Sequence, residues 1–287
     1  MNILILGGNG YLGSKVARKL IQEGHSLTGT KRQNSDLSRL RDLKHAIEWI
    51  PASVDTVEQT VNYTKFDWII NTACSYEREQ LSYDHVIESN MEFPLRVLNI
   101  AVRKDVPNFL TIGTGLPDEF NMYSFTKKKF SEFGCFYSCK HEMNFYNLCL
   151  EMFYGADEPS NRFLPSVIHN MLLGEDVNTT IGTQCRDIIS VEDVVSAVMM
   201  VITCDKKGYH KIPVGTGTAP TISEMIDFIW NETGRKSRIN KGIIPMRNQE
   251  PNCIADTTFL KSIGVWEPVY WKDGIKTMIQ QMQQTSE

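Results

Sequence analysis

Short apolar runs alternate with helical patterns along the first half of the chain. The run Ile3-Leu4-Ile5-Leu6 lies in a predicted strand over residues 2–6 and is typical of a strand buried on both faces. Further strands are predicted at 25–30, 46–50, 67–72 and 108–113, and helices at 14–23 and 86–104. This alternation predicts an α/β fold with a doubly wound, mostly parallel sheet of the Rossmann type.

The pattern changes after Gly155, where a loop precedes a new group of elements. The later part is predicted to hold a strand and helix over 188–203, a strand at 211–214, and helices at 163–173, 222–233, 257–263 and 274–283. We therefore expect a Rossmann domain of residues 1–155 plus about 185–218. A smaller C-terminal α/β lobe would hold residues 156–184 plus 219–287.

Composition and charge exclude several classes of partner. The 287 residues carry 30 basic and 34 acidic side chains, a net charge of -4, so no general attraction to nucleic acid or to an anionic membrane is expected. We also expect no signal peptide and no membrane span. The seven cysteines are scattered and form no Cys-x-x-Cys pair, which favours reduced thiols, a cytoplasmic location and no metal site.

Gly7, Gly10 and Gly13 have the spacing G-x-x-G-x-x-G between the first strand and the first helix. Glycines at such positions allow a tight turn and let backbone amides approach a pyrophosphate. The alternative is a glycine-rich turn that binds nothing. We expect dinucleotide binding, with the intervening loop residues as further contacts: Asn9, Tyr11 and Leu12.

Lys31 and Arg32 end the second predicted strand. An NAD site usually has an Asp or Glu there, which accepts the ribose 2′-hydroxyl. Two cations instead suit a 2′-phosphate, although they would also suit a solvated strand end. The sequence therefore favours NADP(H) over NAD as the cofactor.

Tyr123 and Lys127 stand four residues apart, about one helical turn, so both side chains leave the same face of a helix. A nearby ammonium favours the phenolate and lowers the phenol pKa towards the range of a proton-transfer catalyst. This spacing also arises by chance in many helices, so the pair gains weight only from the rest of the chain.

Several elements in a fixed order resemble the extended short-chain dehydrogenase/reductase family, in its group of nucleotide-sugar epimerases, dehydratases and 4-ketoreductases. They are the glycine loop, Asn71-Thr72-Ala73, Asn90, Thr114, Tyr123-x-x-x-Lys127, and Arg186-Asp187 before a Val-x-Asp-Val helix. The resemblance covers Met1 to about Ile279. It is greatest to the 4-ketoreductases that are similar to CDP-abequose synthase.

The resemblance implies roles at the catalytic centre. Tyr123 would exchange a proton with the sugar oxygen, and Lys127 would hold the nicotinamide ribose and lower the tyrosine pKa. Thr114 would hydrogen-bond the substrate oxygen, with Thr111 as a rival candidate inside the apolar strand. Four further cofactor contacts are implied: Asn71, Thr72, Ala73 and Asn90.

The resemblance also implies contacts to a nucleotide-sugar substrate. Arg186 would bind its diphosphate, and Arg247 with Glu250 would hold phosphate and nucleotide ribose. The planar arginine fork suits phosphate, although each arginine could instead form a surface ion pair.

The chain departs from the family's dehydratases, which place Asp-Glu directly after the active-site threonine. Gly115 and Leu116 stand there instead. Dehydratase chemistry would therefore lack its acid and base. The resemblance, together with Lys31 and Arg32, implies an NADPH-dependent reductase of the 4-keto group of a nucleotide-linked 6-deoxyhexose, in deoxysugar biosynthesis of the O-antigen type. One alternative is an NAD-dependent nucleotide-sugar 4-epimerase, and another is a non-catalytic NADP-binding sensor.

Aromatic residues are frequent in the predicted helix that follows Tyr123: Phe125, Phe130, Phe133, Phe136 and Tyr137. They fit either core packing or an exposed stripe between two copies of the chain. In the family, this helix and the preceding one often form a dimeric four-helix bundle. The resemblance thus allows a homodimer through helices near 86–104 and 122–140.

Overall fold

The computed structural model describes residues 1–76, 82–247 and 250–286, and the chain forms two compact units. The first unit comprises Met1–Leu150 and Val195–Ile212. The second unit comprises Glu151–Val194 and Pro213–Glu287.

Strands and helices alternate along the first half of the chain. The strands are β1 (Asn2–Leu6), β2 (Ser26–Lys31), β3 (Ile47–Pro51), β4 (Trp68–Asn71), β5 (Asn108–Thr114), β6 (Asn144–Leu150), β7 (Met152–Tyr154), β8 (Val177–Thr179), β9 (Ile188–Ser190), β10 (Tyr209–Val214) and β11 (Ile239–Lys241). The helices are α1 (Tyr11–Gln22), α2 (Val54–Tyr63), α3 (Tyr83–Ile87), α4 (Phe93–Arg103), α5 (Met122–Lys140), α6 (Phe163–Leu173), α7 (Val191–Thr203), α8 (Ile222–Glu232), α9 (Thr258–Ile263) and α10 (Trp271–Ser286).

Seven strands form one sheet in the order β10-β6-β5-β4-β1-β2-β3. Neighbouring strands from β6 to β3 pair in parallel. The chain reverses its direction of winding beside β1, whose neighbours are β2 and β4. Ligands of such sheets bind at the carboxyl ends of the strands next to this reversal. The predicted α/β Rossmann fold is confirmed.

Burial explains why β1 forms the middle of the sheet. Ile3, Leu4, Ile5 and Leu6 are completely buried, as the uninterrupted apolar run predicts for a strand covered on both faces. On one face, Leu4 and Leu6 belong to a core that also contains residues of α2, α4 and α5. Packing of this core fixes the sheet against its helices.

Two regular elements of the first unit, helix α2 and strand β6, were not predicted from the sequence. Helix α2 is rich in β-branched residues, which favour strands, yet Ser53 caps it by accepting the Thr56 amide at 3.2 Å. Strand β6 has asparagines within its apolar pattern. They are buried and hydrogen-bonded: Asn144 donates to Asn108 Oδ1 at 2.9 Å, and Asn147 donates to Ser131 Oγ at 2.6 Å. Polar partners in the neighbouring strand and in α5 accommodate these asparagines, which the sequence pattern alone does not reveal.

The second unit is built on two small parallel pairs, β7 with β9 and β8 with β11. Helices α6, α8 and α10 share its apolar core, which includes Met171, Met225 and Ile275. Helix α6 has the predicted bounds and ends at Gly174, whose φ of 75° suits glycine. Among the described residues, no helix is long and apolar enough to cross a membrane.

Candidate functional site

The glycine loop brings the first turn of α1 to the carboxyl end of β1. The helix begins at Tyr11, three residues before the predicted start, because the Ser14 amide already bonds to Gly10 O at 2.9 Å. Gly10 precedes the helix and supplies no side-chain cap. The amides of a first helical turn have no acceptor within the helix, so this N-terminus can offer them to an anion.

Close backbone approach explains two of the three glycines. Gly7 has a φ of +74°, and a Cβ there would lie 2.7 Å from Ala73 Cα. A Cβ at Gly13 would lie 2.2 Å from Gly7 O and 2.6 Å from Thr72 Oγ1. Thr72 in turn donates to Leu6 O at 2.8 Å. A side chain at either position would clash with neighbouring protein atoms, so glycine there lets the loop and α1 pack closely against the segment after β4, the tight packing that a dinucleotide-binding turn requires.

Cations rather than carboxylates stand at the end of β2. Lys31 is half-buried and Arg32 is exposed. The backbone amide of Arg32 donates a hydrogen bond to Ser35 Oγ at 3.0 Å. The next acidic residue, Asp36, accepts from both the amide and the hydroxyl of Ser38, at 2.8 and 2.7 Å. These bonds lower the pKa of the Asp36 carboxyl. Its carboxylate thus caps the turn at Ser38–Leu43.

Two further cations lie beside the glycine loop and were missed by the sequence analysis. The Arg39 guanidinium and the Lys15 ammonium lie 5.2 and 5.6 Å from the centre of the Tyr11 ring. Lys15 is one helical turn after Tyr11, so its position follows from α1. Arg39 comes from an irregular turn, and no periodicity in the sequence indicates that it folds back on Tyr11.

Lys127 is almost completely buried, and its ammonium joins three elements of the first unit. The Nζ atom donates to Ala73 O, just after β4, and to Ile112 O in β5, each at 3.0 Å. Burial lowers the pKa of the Lys127 ammonium from its usual value, and an electrostatic interaction with Cys74 opposes that shift. Helix α5 is therefore fixed to the carboxyl ends of β4 and β5.

Tyr123 lies in the first turn of α5, one turn before Lys127. The start of this helix is fixed by a reciprocal pair of bonds between Asn121 and Ser124, in which Asn121 Oδ1 accepts the Ser124 amide at 2.8 Å. The Tyr123 ring is half-buried and stacks on the ring of Tyr76, with centroids 4.9 Å apart and an interplanar angle of 28°.

The two candidate threonines of β5 have different surroundings. Thr114 is the last residue of the strand, and its hydroxyl oxygen accepts the Leu116 amide at 3.2 Å. Thr111 is buried inside the strand and accepts from Asn71 Nδ2 at 3.2 Å. Thr114 thus lies at the strand end that carries ligands in this fold, whereas Thr111 serves the interior of the sheet.

Asn90 binds the segment after β4 through both atoms of its side-chain amide. Its Oδ1 accepts the Ser75 amide and its Nδ2 donates to Ser75 O, both at 2.8 Å. Asn90 lies in a π-helical turn at Glu88–Glu92, an irregularity that often accompanies functional sites. Its predicted contact with the cofactor stays a prediction, since these two bonds give it a structural task.

In the second unit, Arg186 is held by main-chain and carboxylate acceptors. Its Nη2 atom donates to Glu250 Oε1 at 2.5 Å, and Nη1 donates to Cys185 O at 3.0 Å and to Pro251 O. Both charged side chains are mostly buried. The predicted partners Arg186 and Glu250 are thus brought together. Arg247 is exposed, and Asn248 and Gln249 of its predicted motif lie outside the described residues.

Asp187 organises the backbone around Arg186. It is completely buried, and its carboxylate accepts the amides of Thr216, Gly217 and Ala255 at 2.8, 2.8 and 3.1 Å. The Thr216 hydroxyl adds a fourth bond at 2.8 Å. A buried charge needs this number of donors to offset its lost hydration.

Residues 3–215 match the family described as NAD dependent epimerase/dehydratase, and the chain belongs to that family. It is 28% identical to the CDP-abequose synthase of Salmonella muenchen over 287 residues, which cover 96% of each chain. The predicted membership of this group of enzymes is confirmed.

Two solved structures show the same fold. The UDP-glucose 4-epimerase of Thermotoga maritima with UDP-glucose has a TM-score of 0.87 and 21% identity, with full coverage of both chains. The UDP-glucose 4-epimerase of Thermus thermophilus, in complex with NAD, has a TM-score of 0.83 and 17% identity, and the match covers 99% of each chain.

Over the parts of the chain that the structure describes, no group of three or more His, Cys, Asp or Glu residues could hold a metal ion.

The glycine loop gives a direct test of the dinucleotide cradle. Gly13→Ala should lower the free energy of unfolding by roughly 1–3 kcal/mol, because its Cβ would overlap Gly7 O. Urea unfolding measures this loss, and calorimetry should show that dinucleotide binding weakens as well. Gly10→Ala serves as the comparison and should cost less, since its Cβ would lie 3.3 Å from Gly7 O, a tight contact that a small shift of the neighbour relieves. Equal stability losses in both variants would contradict the proposed packing.

Proposed function

We propose that this chain is an NADPH-dependent reductase of the 4-keto group of a nucleotide-linked 6-deoxyhexose, acting in deoxysugar biosynthesis of the O-antigen type. The observation that carries the proposal is the buried Lys127 ammonium, which lies one helical turn after Tyr123 and bonds to the main chain at the carboxyl ends of β4 and β5. Support also comes from near full-length similarity to a CDP-abequose synthase.

The first unit would hold the dinucleotide along the carboxyl ends of its strands. Gly7, Gly10 and Gly13 would face the pyrophosphate with the first turn of α1. Arg32, the exposed cation after β2, would pair with the 2′-phosphate, and Lys127 would hold the nicotinamide ribose. When bound, the cofactor supplies the hydride that reaches the sugar carbonyl carbon.

Tyr123, Lys127 and Thr114 would handle the proton and the charge on oxygen. The Tyr123 hydroxyl would protonate the alkoxide that develops on the sugar O4. The Lys127 ammonium stabilises the phenolate that remains, and its two main-chain acceptors keep it in place for this task. The Thr114 hydroxyl would donate a hydrogen bond to the same substrate oxygen.

The second unit would recognise the nucleotide half of the substrate. Three of the five donors of the Arg186 guanidinium are used by Cys185, Pro251 and Glu250, which leaves donors for a diphosphate. Glu250 would also accept from the ribose hydroxyls. Arg247 is exposed and would add a second phosphate contact.

A 4-epimerase is the second candidate, because solved UDP-glucose 4-epimerases share the fold over the full chain. An epimerase would keep NAD bound and return its hydride to the same sugar. Arg32 and the engagement of Asp36 with Ser38 favour a phosphorylated ribose and thus the reductase.

The predicted homodimer remains part of the proposal. On α5, Phe125, Phe133 and Phe136 are 41%, 40% and 58% exposed, whereas Phe130 is buried in the core. Exposed aromatic rings along one helix support a contact between two copies through α4 and α5.

The activity is tested by NADPH oxidation against CDP-, dTDP-, GDP- and UDP-linked 4-keto-6-deoxyhexoses. We expect stoichiometric oxidation of NADPH with at least one of them, and a sugar product reduced at C4. Conversion of a UDP-hexose to its C4 epimer without net NADPH oxidation would replace the reductase with the epimerase.

The cofactor preference is a separate prediction. Calorimetry should show NADPH binding more tightly than NADH by about 1–3 kcal/mol, the worth of a charge-assisted phosphate contact. Arg32→Ala should remove most of this difference, and Lys140→Ala, an exposed cation at the end of α5, should preserve it. Tighter binding of NADH by the wild-type protein would refute the assignment.

Tyr123→Phe should retain both ligands but slow single turnover by roughly 10²–10⁴, the usual contribution of a positioned acid. Thr114→Val should slow it less, because one hydrogen bond is lost. Rapid mixing of the NADPH-bound protein with substrate measures the chemical step itself. A Tyr123→Phe protein that turns over at the wild-type rate would leave the catalytic role without support and favour the sensor.

A further inference from the structure

Tyr76 is an aromatic residue whose ring faces Tyr123 and for which neither the family motif nor the predicted site provides a role. Their centroids are 4.9 Å apart and the rings are inclined by 28°, an offset-stacked arrangement. Tyr76 follows β4, and Tyr123 lies in the first turn of α5. The contact therefore joins two elements that are distant in sequence.

The segment that carries Tyr76 is attached to its surroundings by three hydrogen bonds, at Ala73 and Ser75. Ala73 O accepts from Lys127 Nζ at 3.0 Å, and both main-chain groups of Ser75 bond to Asn90 at 2.8 Å. Asn90 Nδ2 also lies 3.4 Å from Thr126 Oγ1 in α5. Because these bonds hold the backbone of the segment, the Tyr76 side chain starts from a fixed position relative to α5.

Tyr123 needs such a neighbour because of its place in the helix. In the first helical turn no preceding turn covers its side chain, and the ring is half-buried. The phenol must nevertheless point at one substrate atom, and small errors in position cost rate. A flat aromatic face limits rotation of the ring about its side-chain bonds without consuming its hydroxyl group.

We propose that Tyr76 is a positioning residue for the reductase, whose ring stacks on Tyr123 and holds its hydroxyl in the orientation for proton transfer. This inference rests on the proposed function. The ring of Tyr76, rather than its hydroxyl, carries the role. The structure thus extends the catalytic centre from the Tyr-Lys helix to the segment after β4.

The activity test compares Tyr76→Ala with Tyr76→Phe, using NADPH and the 4-keto sugar that the wild-type protein reduces. Tyr76→Ala should slow single turnover by roughly 3- to 10-fold, the equilibrium worth of an aromatic stack. NADPH affinity and substrate KM should stay within about twofold. Tyr76→Phe should react at nearly the wild-type rate, as should Tyr63→Ala, a control at an exposed tyrosine.

A double-mutant cycle separates positioning from a general structural effect. In the Tyr123→Phe background, Tyr76→Ala should cause no further loss, because no phenol remains to be oriented. An equal loss in both backgrounds would overturn the proposal, as would a wild-type rate for Tyr76→Ala. A Tyr76→Phe protein as slow as Tyr76→Ala would also overturn it, since the hydroxyl would then be the active group. Should Tyr76→Ala fail to fold, Tyr76→Leu takes its place.

Nuclear magnetic resonance of the ligand-free protein supplies a readout that does not depend on activity. Ring protons of Tyr123, assigned by their loss in Tyr123→Phe, should show a ring-current shift in the wild type and in Tyr76→Phe. That shift should vanish in Tyr76→Ala. Its absence from the wild type would refute the stack itself. If the wild-type protein shows this ring-current shift but reduces no keto sugar, the proposed function is refuted while the stacking of the two rings stands.

Discussion

The buried ammonium of Lys127 is the constraint on which the first unit depends. A charge in this position must be hydrogen-bonded, and it finds its acceptors in the main chain after β4 and within β5. These two bonds fix α5 against the carboxyl edge of the sheet. Tyr123 lies in α5 and Thr114 in β5, so the contact that fixes α5 to the sheet also sets the candidate catalytic geometry.

The second unit uses the same physical solution with the opposite charge. Asp187 is buried and accepts four hydrogen bonds, which order the strands and loops beside Arg186. Arg186 then has main-chain acceptors and Glu250 as partners. Each unit thus arranges its candidate functional side chains around one buried charge, and the cost of desolvating that charge makes alternative arrangements unfavourable.

Short-range patterns in the sequence were sufficient to predict the fold and the candidate catalytic pair. The apolar run of β1, the glycine spacing and the one-turn spacing of Tyr123 and Lys127 each carry a short-range physical meaning. Contacts made across the fold had no such signal. The stacking of Tyr76, the clamp of Asn90 on Ser75 and the folding of Arg39 onto Tyr11 join segments that no periodicity relates. Strand β6 was not predicted because its asparagines find their partners only after β5 and α5 pack beside it.

The most direct test of the account follows the hydrogen atom itself. The protein is incubated with NADPH that carries deuterium at the transferable C4 position and with a CDP-linked 4-keto-6-deoxyhexose, and the sugar product is analysed by mass spectrometry and nuclear magnetic resonance. The account predicts one deuterium per product molecule, bound to sugar C4. A sugar reduced at C4 without deuterium, or a keto sugar recovered unchanged, would contradict it, because the added NADPH would then not have supplied the hydride.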